Sequence, residues 1–229
     1  MELKALIFDV DGTLAETEEA HRAAFNEVFS RHGLGWHWSM EDYRALLKTT
    51  GGKERMRAHQ AGLPEGARRL TDEEIAALHK EKTALYGEIL ARGELALRPG
   101  VADLITRACA AGLRVAVATT TNVPNVEALT RCCWGKGADE VFDVVAAGDE
   151  VAAKKPAPDV FLLALERLGL EAEACIAFED SLNGLRSAHG AGLRAVVTPS
   201  VYTDDQDFSA AELVVPSLEG LDLAALARL

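Results

Sequence analysis

The 229-residue chain predicts an α/β fold: a doubly wound parallel sheet interrupted, after its first strand, by an all-helical insert. Three observations carry this prediction. Leu6, Ile7 and Phe8 form a continuous apolar run, the pattern of a strand buried on both faces of a parallel sheet. Residues 15–97 then show helical spacing and no convincing strand. From Arg98-Pro99-Gly100 onward, strand and helix signals alternate strictly, as in a chain that crosses back and forth over one sheet.

The insert opens with a helix over residues 17–32, with Ala20, Ala23, Ala24, Val28 and Phe29 near helical spacing and Gly33 as its stop. A second helical segment follows Ser39 and is interrupted by Thr49-Thr50-Gly51-Gly52. Thr71-Asp72-Glu73-Glu74 reads as an N-cap with acids in the first turn, opening a helix that runs to about Leu90. Beyond the insert, helices are expected over 101–111, 124–133, 159–168 and 181–191, with strands over 114–118, 141–146, 175–178 and 194–197. A short strand over 213–215 and a C-terminal helix complete the chain. The expected division is a Rossmann-like α/β core of residues 1–15 and 96–229, and a helical cap of residues 16–95.

Composition narrows the class. An apolar content of 48% and a charged content of 26% are those of a soluble globular protein. A net charge of −12 argues against nucleic acid and against an anionic membrane surface as partners. No apolar stretch approaches the roughly 20 residues of a membrane span, and the first apolar run leads straight into Asp9 rather than into a signal-peptide cleavage site. The cysteines, Cys109, Cys132, Cys133 and Cys175, lack zinc-ligand spacing and are expected as small buried hydrophobes in a reducing cytosol.

Chemistry-bearing residues gather where strands end. Asp9 and Asp11 follow the first strand, and Gly12 permits a tight turn beyond them. Two carboxylates at the carboxyl end of a buried strand need a cation, a proton or a ligand, and that end is where ligands bind in open α/β sheets. Thr119-Thr120-Thr121 ends the strand over 114–118, offering hydroxyls and freed backbone N–H groups suited to phosphate oxygens, or else a turn that caps the next helix. Lys154-Lys155-Pro156-Ala157-Pro158-Asp159 supplies point cations on a proline-stiffened loop. Glu179-Asp180-Ser181, followed by Asn183 and Gly184, repeats the pattern of acids at a strand end, and such hard oxygen donors suit Mg²⁺.

DVDGT at residues 9–13, the threonine after the second core strand, a lysine directly before proline and the acidic pair at 179–180 resemble, in order, the four motifs of the haloacid-dehalogenase superfamily. The resemblance implies that Asp9 is a nucleophile forming an aspartyl-phosphate, and that Asp11 is the general acid and base. It implies that Thr119 and Lys155 stabilise the transferring group, with Thr120 as a backbone donor and Lys154 exposed. It also implies Mg²⁺ held by Asp9, Asp180 and the backbone carbonyl of Asp11, with Glu179 as an accessory. The acid at Asp11 separates the chain from dehalogenase relatives, and Val10 separates it from P-type ATPases, which carry lysine there.

The insert should set specificity by closing over the site. Glu18 and His21, three apart, share a helix face near it, or form a solvated acidic first turn. Gly51 and Gly52, with Lys53 and Arg55 beside them, are expected to bind a second phosphate; an ordinary turn between helices is the alternative. Trp36, His37 and Trp38 are expected to pack the insert against the core, with lining of the pocket as the alternative. A histidine at His21 and KPAPD resemble the β-phosphoglucomutase branch. AETEE, TTGGKER, ATTT with PNVEAL, and EDSLNGLR are more similar to the CbbY branch of sugar-bisphosphate phosphatases, which dephosphorylate the Rubisco inhibitor xylulose 1,5-bisphosphate. That branch adds Thr121 and Asn125 to the expected substrate contacts, and Asn122, Val123 and the loop around Gly62 to Arg69 depart from its pattern. The expectation is therefore a Mg²⁺-dependent phosphatase of a small sugar phosphate. It is expected to be a monomer in the cytoplasm, or in the plastid stroma for the mature form of an organellar protein. A sugar-phosphate mutase, passing the phosphoryl group back to substrate, is the alternative, and a non-catalytic sensor would need a broken motif.

Overall fold

The computed structural model describes residues 2–93 and 95–229. Four short, largely buried strands build most of its sheet: β1 (Ala5–Phe8), β2 (Arg114–Ala118), β4 (Cys175–Glu179) and β5 (Arg194–Val197). With β3 (Val144–Ala146) and β6 (Leu213–Val214) they form a six-stranded parallel sheet in the order β3-β2-β1-β4-β5-β6. Side chains alternate between its two faces. Leu6, Phe8, Val115, Val117, Ile176 and Phe178 share one face, and Ala5, Ile7, Ala116, Ala118 and Ala177 the other. The bulky face includes a Phe8–Phe178 stack with ring centres 4.6 Å apart.

Helices cover both faces, as a sheet buried on both sides demands. The bulky face receives α5 (Val101–Ala110) and α6 (Val123–Trp134) through Leu104, Val126 and Leu129. The small-residue face receives α8 (Asp159–Leu168) and α9 (Leu182–Gly190) through Phe161, Ala164, Leu185 and Ala188. This is a Rossmann-like α/β arrangement, as expected. One element differs: residues 141–146 are not a single strand. A short helix, α7 (Ala138–Val141), precedes β3, because the Glu140 carboxylate accepts from the Gly137 N–H at 2.7 Å and Glu127 accepts from the Ala138 N–H at 2.8 Å. These caps satisfy the free N–H groups of a helical turn. The last helix, α10 (Leu223–Leu226), is a single turn capped by Asp222.

Between β1 and α5 lie four helices, α1 (Glu18–Arg31), α2 (Met40–Leu46), α3 (Gly52–Ala61) and α4 (Asp72–Ala91). Capping boxes, Ser39 with Asp42 and Thr71 with Glu74, open α2 and α4. The two crossing segments meet in an antiparallel bridge between Ala15 and Leu97. Arg98 pins this crossing, its guanidinium donating to the carbonyls of Gly12, Thr198 and Pro199. Trp36 and Trp38 do not face the core domain as expected. They pack inside the helical insert against Phe29, with Trp38 also on Phe25 and the backbone of Trp38 clasped by Asn26. Four helices without a sheet behind them need their own apolar centre, and these indoles supply it.

The cysteines also differ from expectation. Only Cys175 is buried; Cys132 and Cys133 are half-buried on α6, and Cys109 is exposed. Among the described residues no helix is long and apolar enough to cross a membrane.

Candidate active site

The carboxyl ends of β1, β2 and β4 open into a cavity of about 750 Å³, roofed by α1, α3 and α4. Its lining joins Asp9, Asp11, Thr120, Thr121, Asn125, Lys155 and Asp180 from the core to Glu18, His21, Gly51, Gly52, Lys53 and Arg55 from the helical insert. Nearly every residue singled out in the sequence therefore meets in one place. Thr119 and Glu179 are fully buried behind it and do not line it.

At its floor, the Lys155 ammonium donates to Asp9 Oδ1 at 2.6 Å, to Glu179 Oε1 at 2.5 Å and to the Ala118 carbonyl at 2.8 Å. All three of its protons are thus used, which fixes a flexible lysine as a directed cation. Glu179 owes its place to Gly184: a Cβ there would lie 1.9 Å from the Glu179 carboxyl. Gly12 plays a similar part for Asp180, with φ at +86° and an imagined Cβ 2.2 Å from Asp180 Oδ2. Thr203 holds Asp180 from the other side, its hydroxyl donating to the Asp180 carbonyl at 2.7 Å.

Carboxylate oxygens of Asp9, Glu179 and Asp180 lie within 4.8 Å of one another, and all three residues are buried. Lys155 pairs with Asp9 and Glu179, and Asp180 has no cation beside it among the described residues. Burial pushes the Asp9 carboxyl up to about 8, with Glu179 and Asp11 adding to the rise and Lys155 opposing it. Burial and the charges of Asp9 and Glu179 push Asp180 well above the ordinary carboxylate range. Crowded buried acids of this kind call for another positive charge, and an all-oxygen donor set facing a phosphate-sized cavity fits Mg²⁺.

Asp11 points toward the insert. Thr17 Oγ1 donates to its Oδ1 at 2.5 Å, and His21 Nε2 lies 3.0 Å from the same oxygen. Burial would raise this carboxyl, but His21, Thr17 and Lys82 outweigh it and hold it at about 2. Behind His21, the Lys82 Nζ approaches Nδ1 to 2.5 Å, so Nε2 carries the proton toward Asp11. The insert thus orients the second acid of the pair.

Glu18 is buried rather than solvated. It accepts from the Tyr43 hydroxyl at 2.8 Å, and Arg55 donates to the same hydroxyl at 2.9 Å. On the core side, Thr119 Oγ1 accepts from the Thr121 N–H at 3.1 Å, and Asn125 donates to Thr121 Oγ1 at 2.6 Å. These bonds shape the loop after β2 and leave Thr120 facing the cavity.

Lys154 is not simply exposed. It is half-buried, lines the cavity and lies 3.7 Å from Glu54 of α3. It turns inward because α3 packs over this loop. Sequence reading also passed over Thr17, Tyr43, His79 and Lys82. Lys82 sits in the charged run His79-Lys80-Glu81-Lys82, where spacing gives no sign of which lysine turns inward. Tyr43 was legible only as an apolar position of α2.

Comparison with known proteins agrees with this geometry. A family profile described as haloacid dehalogenase-like hydrolase matches residues 3–192. Protein CbbY of Rhodobacter capsulatus is 60% identical over 229 residues, covering all of both chains. The crystal structure of CbbY from Rhodobacter sphaeroides in complex with phosphate superposes with a TM-score of 0.94 at 52% identity, covering 99% of this chain and 100% of the other. A point variant of that protein in complex with xylulose-(1,5)bisphosphate gives 0.93 at 52% identity, covering 98% and 99%. The chain belongs to the haloacid dehalogenase-like hydrolases and is an enzyme of their phosphatase class, a phosphoric monoester hydrolase.

Proposed function

We propose that this enzyme is a Mg²⁺-dependent phosphatase of a small sugar bisphosphate, xylulose 1,5-bisphosphate first among them, acting through a phosphoryl group carried on Asp9. One observation carries the reading: a single cavity has the Asp9–Lys155 pair at its floor and a second group of cations, Lys53, Arg55 and Lys154, under its roof. A ligand with an anionic group at each end matches that spacing of charge. The bisphosphate named with the related CbbY structure has that form.

Asp9 would attack phosphorus through Oδ2, the oxygen that Lys155 does not hold, forming an O–P bond as the bond to the sugar oxygen breaks. Lys155 through its charge and the Thr120 N–H stabilise the equatorial oxygens, while Thr119, buried behind the cavity, holds the Thr121 N–H and so the shape of that loop. Asp9, Asp180 and the Asp11 carbonyl would hold Mg²⁺, with Glu179 as accessory, and its charge offsets the repulsion between carboxylate and phosphate. Asp11 would give a proton, drawn from Lys82 through the His21 ring, to the leaving sugar oxygen, and then take one from the water that cleaves the aspartyl-phosphate. The held geometry of Thr17, His21 and Lys82 keeps Asp11 directed at that oxygen. Glu18, Thr121 and Asn125 complete the contacts to the sugar.

Residues 16–95 act as a cap in this reading, and residues 1–15 with 96–229 as the catalytic core. The enzyme works as a monomer in the cytoplasm. Phosphate release across a panel of sugar mono- and bisphosphates tests the reading. A strong preference for xylulose 1,5-bisphosphate supports it; conversion of a sugar phosphate to its isomer without net phosphate release would identify a mutase instead.

A further inference from the structure

We infer that Thr203 is a positioning residue for Asp180, and that the loop carrying it makes this positioning depend on the docking of the helical insert. The inference rests on the proposed Mg²⁺ site and adds a device that ties metal affinity to closure of the insert.

Residues 198–206 follow β5 and face two ways within one short loop. Ser200 and Thr203 are buried and turn toward the end of β4. The Thr203 hydroxyl accepts from the Ser200 N–H at 2.9 Å, donates to the Asp180 carbonyl at 2.7 Å and lies 3.3 Å from Asp180 Oδ2. The packing there is tight. A Cβ imagined on Gly12 would lie 2.2 Å from Asp180 Oδ2 and 3.2 Å from Ser200 Cβ, so a shift of Ser200 is felt by Asp180. The two ends of the loop are anchored in the core. Arg98 donates to the Thr198 and Pro199 carbonyls, and the Gln206 side chain accepts from the Leu182 N–H at 2.7 Å.

The middle of the loop is held by the insert. Tyr202 is buried; its hydroxyl donates to Glu19 Oε2 of α1 at 2.5 Å, and its ring stands edge-on to Tyr43 of α2 with centres 5.7 Å apart. Arg44, also on α2, donates to Asp204 Oδ1 at 2.6 Å, to Asp205 Oδ1 at 3.3 Å and to the Val201 carbonyl. The Arg44 pairs are exposed and contribute little singly, so Tyr202 is the stronger hold. Residues 201, 202, 204 and 205 thus grip the insert, while Ser200 and Thr203 among them grip Asp180.

Asp180 depends on this support more than its neighbours do. Lys155 orients Asp9 and Glu179 directly, whereas Asp180 is set by the Thr203 hydroxyl and the packing of Gly12 and Ser200. Groups that orient a metal ligand govern metal affinity almost as the ligand itself does. Undocking the insert removes the holds on Tyr202 and Val201 and leaves the loop fixed only at its ends. Asp180 is then less well placed, and affinity for the ion falls. By reciprocity, the docked insert is favoured when Asp180 holds Mg²⁺.

The test is calorimetric titration of the substrate-free protein with Mg²⁺, with thermal unfolding in EDTA as the stability control. Thr203→Val is expected to weaken Mg²⁺ binding about tenfold or more, and Thr203→Ser, keeping the hydroxyl, to restore most of it. Tyr202→Phe, outside the cavity lining, is expected to weaken Mg²⁺ binding about three- to tenfold at a nearly unchanged unfolding midpoint in EDTA. That loss disappears in a Thr203→Val background, because both side chains act along one path. Should Thr203→Val fail to fold, Tyr202→Phe still decides the link to the insert, and an unmoved Mg²⁺ affinity in that variant overturns it. Equal affinity in Thr203→Val and wild type overturns the positioning role. A wild type that binds Mg²⁺ no better than Asp180→Asn overturns the proposed metal site, and the inference with it.

Discussion

Lys82 Nζ, buried on α4, lies 2.5 Å from His21 Nδ1, and His21 Nε2 in turn lies 3.0 Å from Asp11 Oδ1. This relay runs from the helical insert to Asp11, the carboxylate proposed above as acid and base. Lys82 also sits over the rings of Phe25 and Tyr86, so its place is set by packing as well as by charge. Replacing it with methionine keeps the volume and removes the donor that fixes the His21 tautomer. Lys82→Met is expected to lower kcat by about 10–100-fold with a much smaller change in KM. A raised KM at unchanged kcat would give Lys82 a binding role instead.

His79 gives a stability signature at acid pH. Its folded value is about 3 against an ordinary 6.5, so the unfolded chain binds the proton more readily. The stabilisation is complete above pH 6.5 and is lost as pH falls from 6.5 toward 3. At about pH 5 the loss is at most about 2 kcal/mol. Thermal unfolding of wild type and His79→Asn at about pH 5 and about pH 7 checks this. The variant should lose less stability on acidification, and equal losses would show that His79 is not neutralised by the fold.

Gly184→Ala sets two effects against each other. Helix propensity alone favours alanine by about 1 kcal/mol. The new Cβ, however, would fall 1.9 Å from the Glu179 carboxyl, which holds Lys155. Overpacking of that kind costs about 1–3 kcal/mol. The expected result in urea unfolding is a lower midpoint, together with reduced turnover as Lys155 loosens. A stabilised, fully active variant would mean that Glu179 can shift without consequence.

The acids and the lysine at strand ends could be read directly from the sequence, because charge at the end of a buried parallel strand must be compensated by a cation or a ligand. Asp9, Asp11, Lys155 and Asp180 meet in the structure for that reason. Helix starts at Ser39 and Thr71 were equally plain, since their capping residues act within a few positions. Contacts between distant segments left no such local trace. Lys82 reaches His21 across 61 positions, and Tyr43 reaches Glu18 across 25. Trp36 and Trp38 looked suited to a domain interface, yet the insert needed them for its own centre. The turn at Ala138–Val141 was missed because its N–H groups are capped by Glu127 and Glu140, whose side chains gave no warning.

The acidic cluster predicts a metal response. Three clustered buried carboxylates, only two of them paired with Lys155, should take up Mg²⁺ with a gain in stability that grows with its concentration. Thermal unfolding is expected to shift upward with added Mg²⁺ for wild type and little for Asp180→Asn. An equal shift in both would place the ion elsewhere.

The central claim is that Asp9 carries the phosphoryl group. Rapid acid quenching during turnover of xylulose 1,5-bisphosphate with Mg²⁺, followed by mass spectrometry of the peptide spanning residues 5–14, measures this directly. A phosphoryl adduct on Asp9 that is absent from Asp9→Asn, along with loss of turnover in that variant, is the predicted result. Turnover by Asp9→Asn at a rate near that of wild type would contradict it.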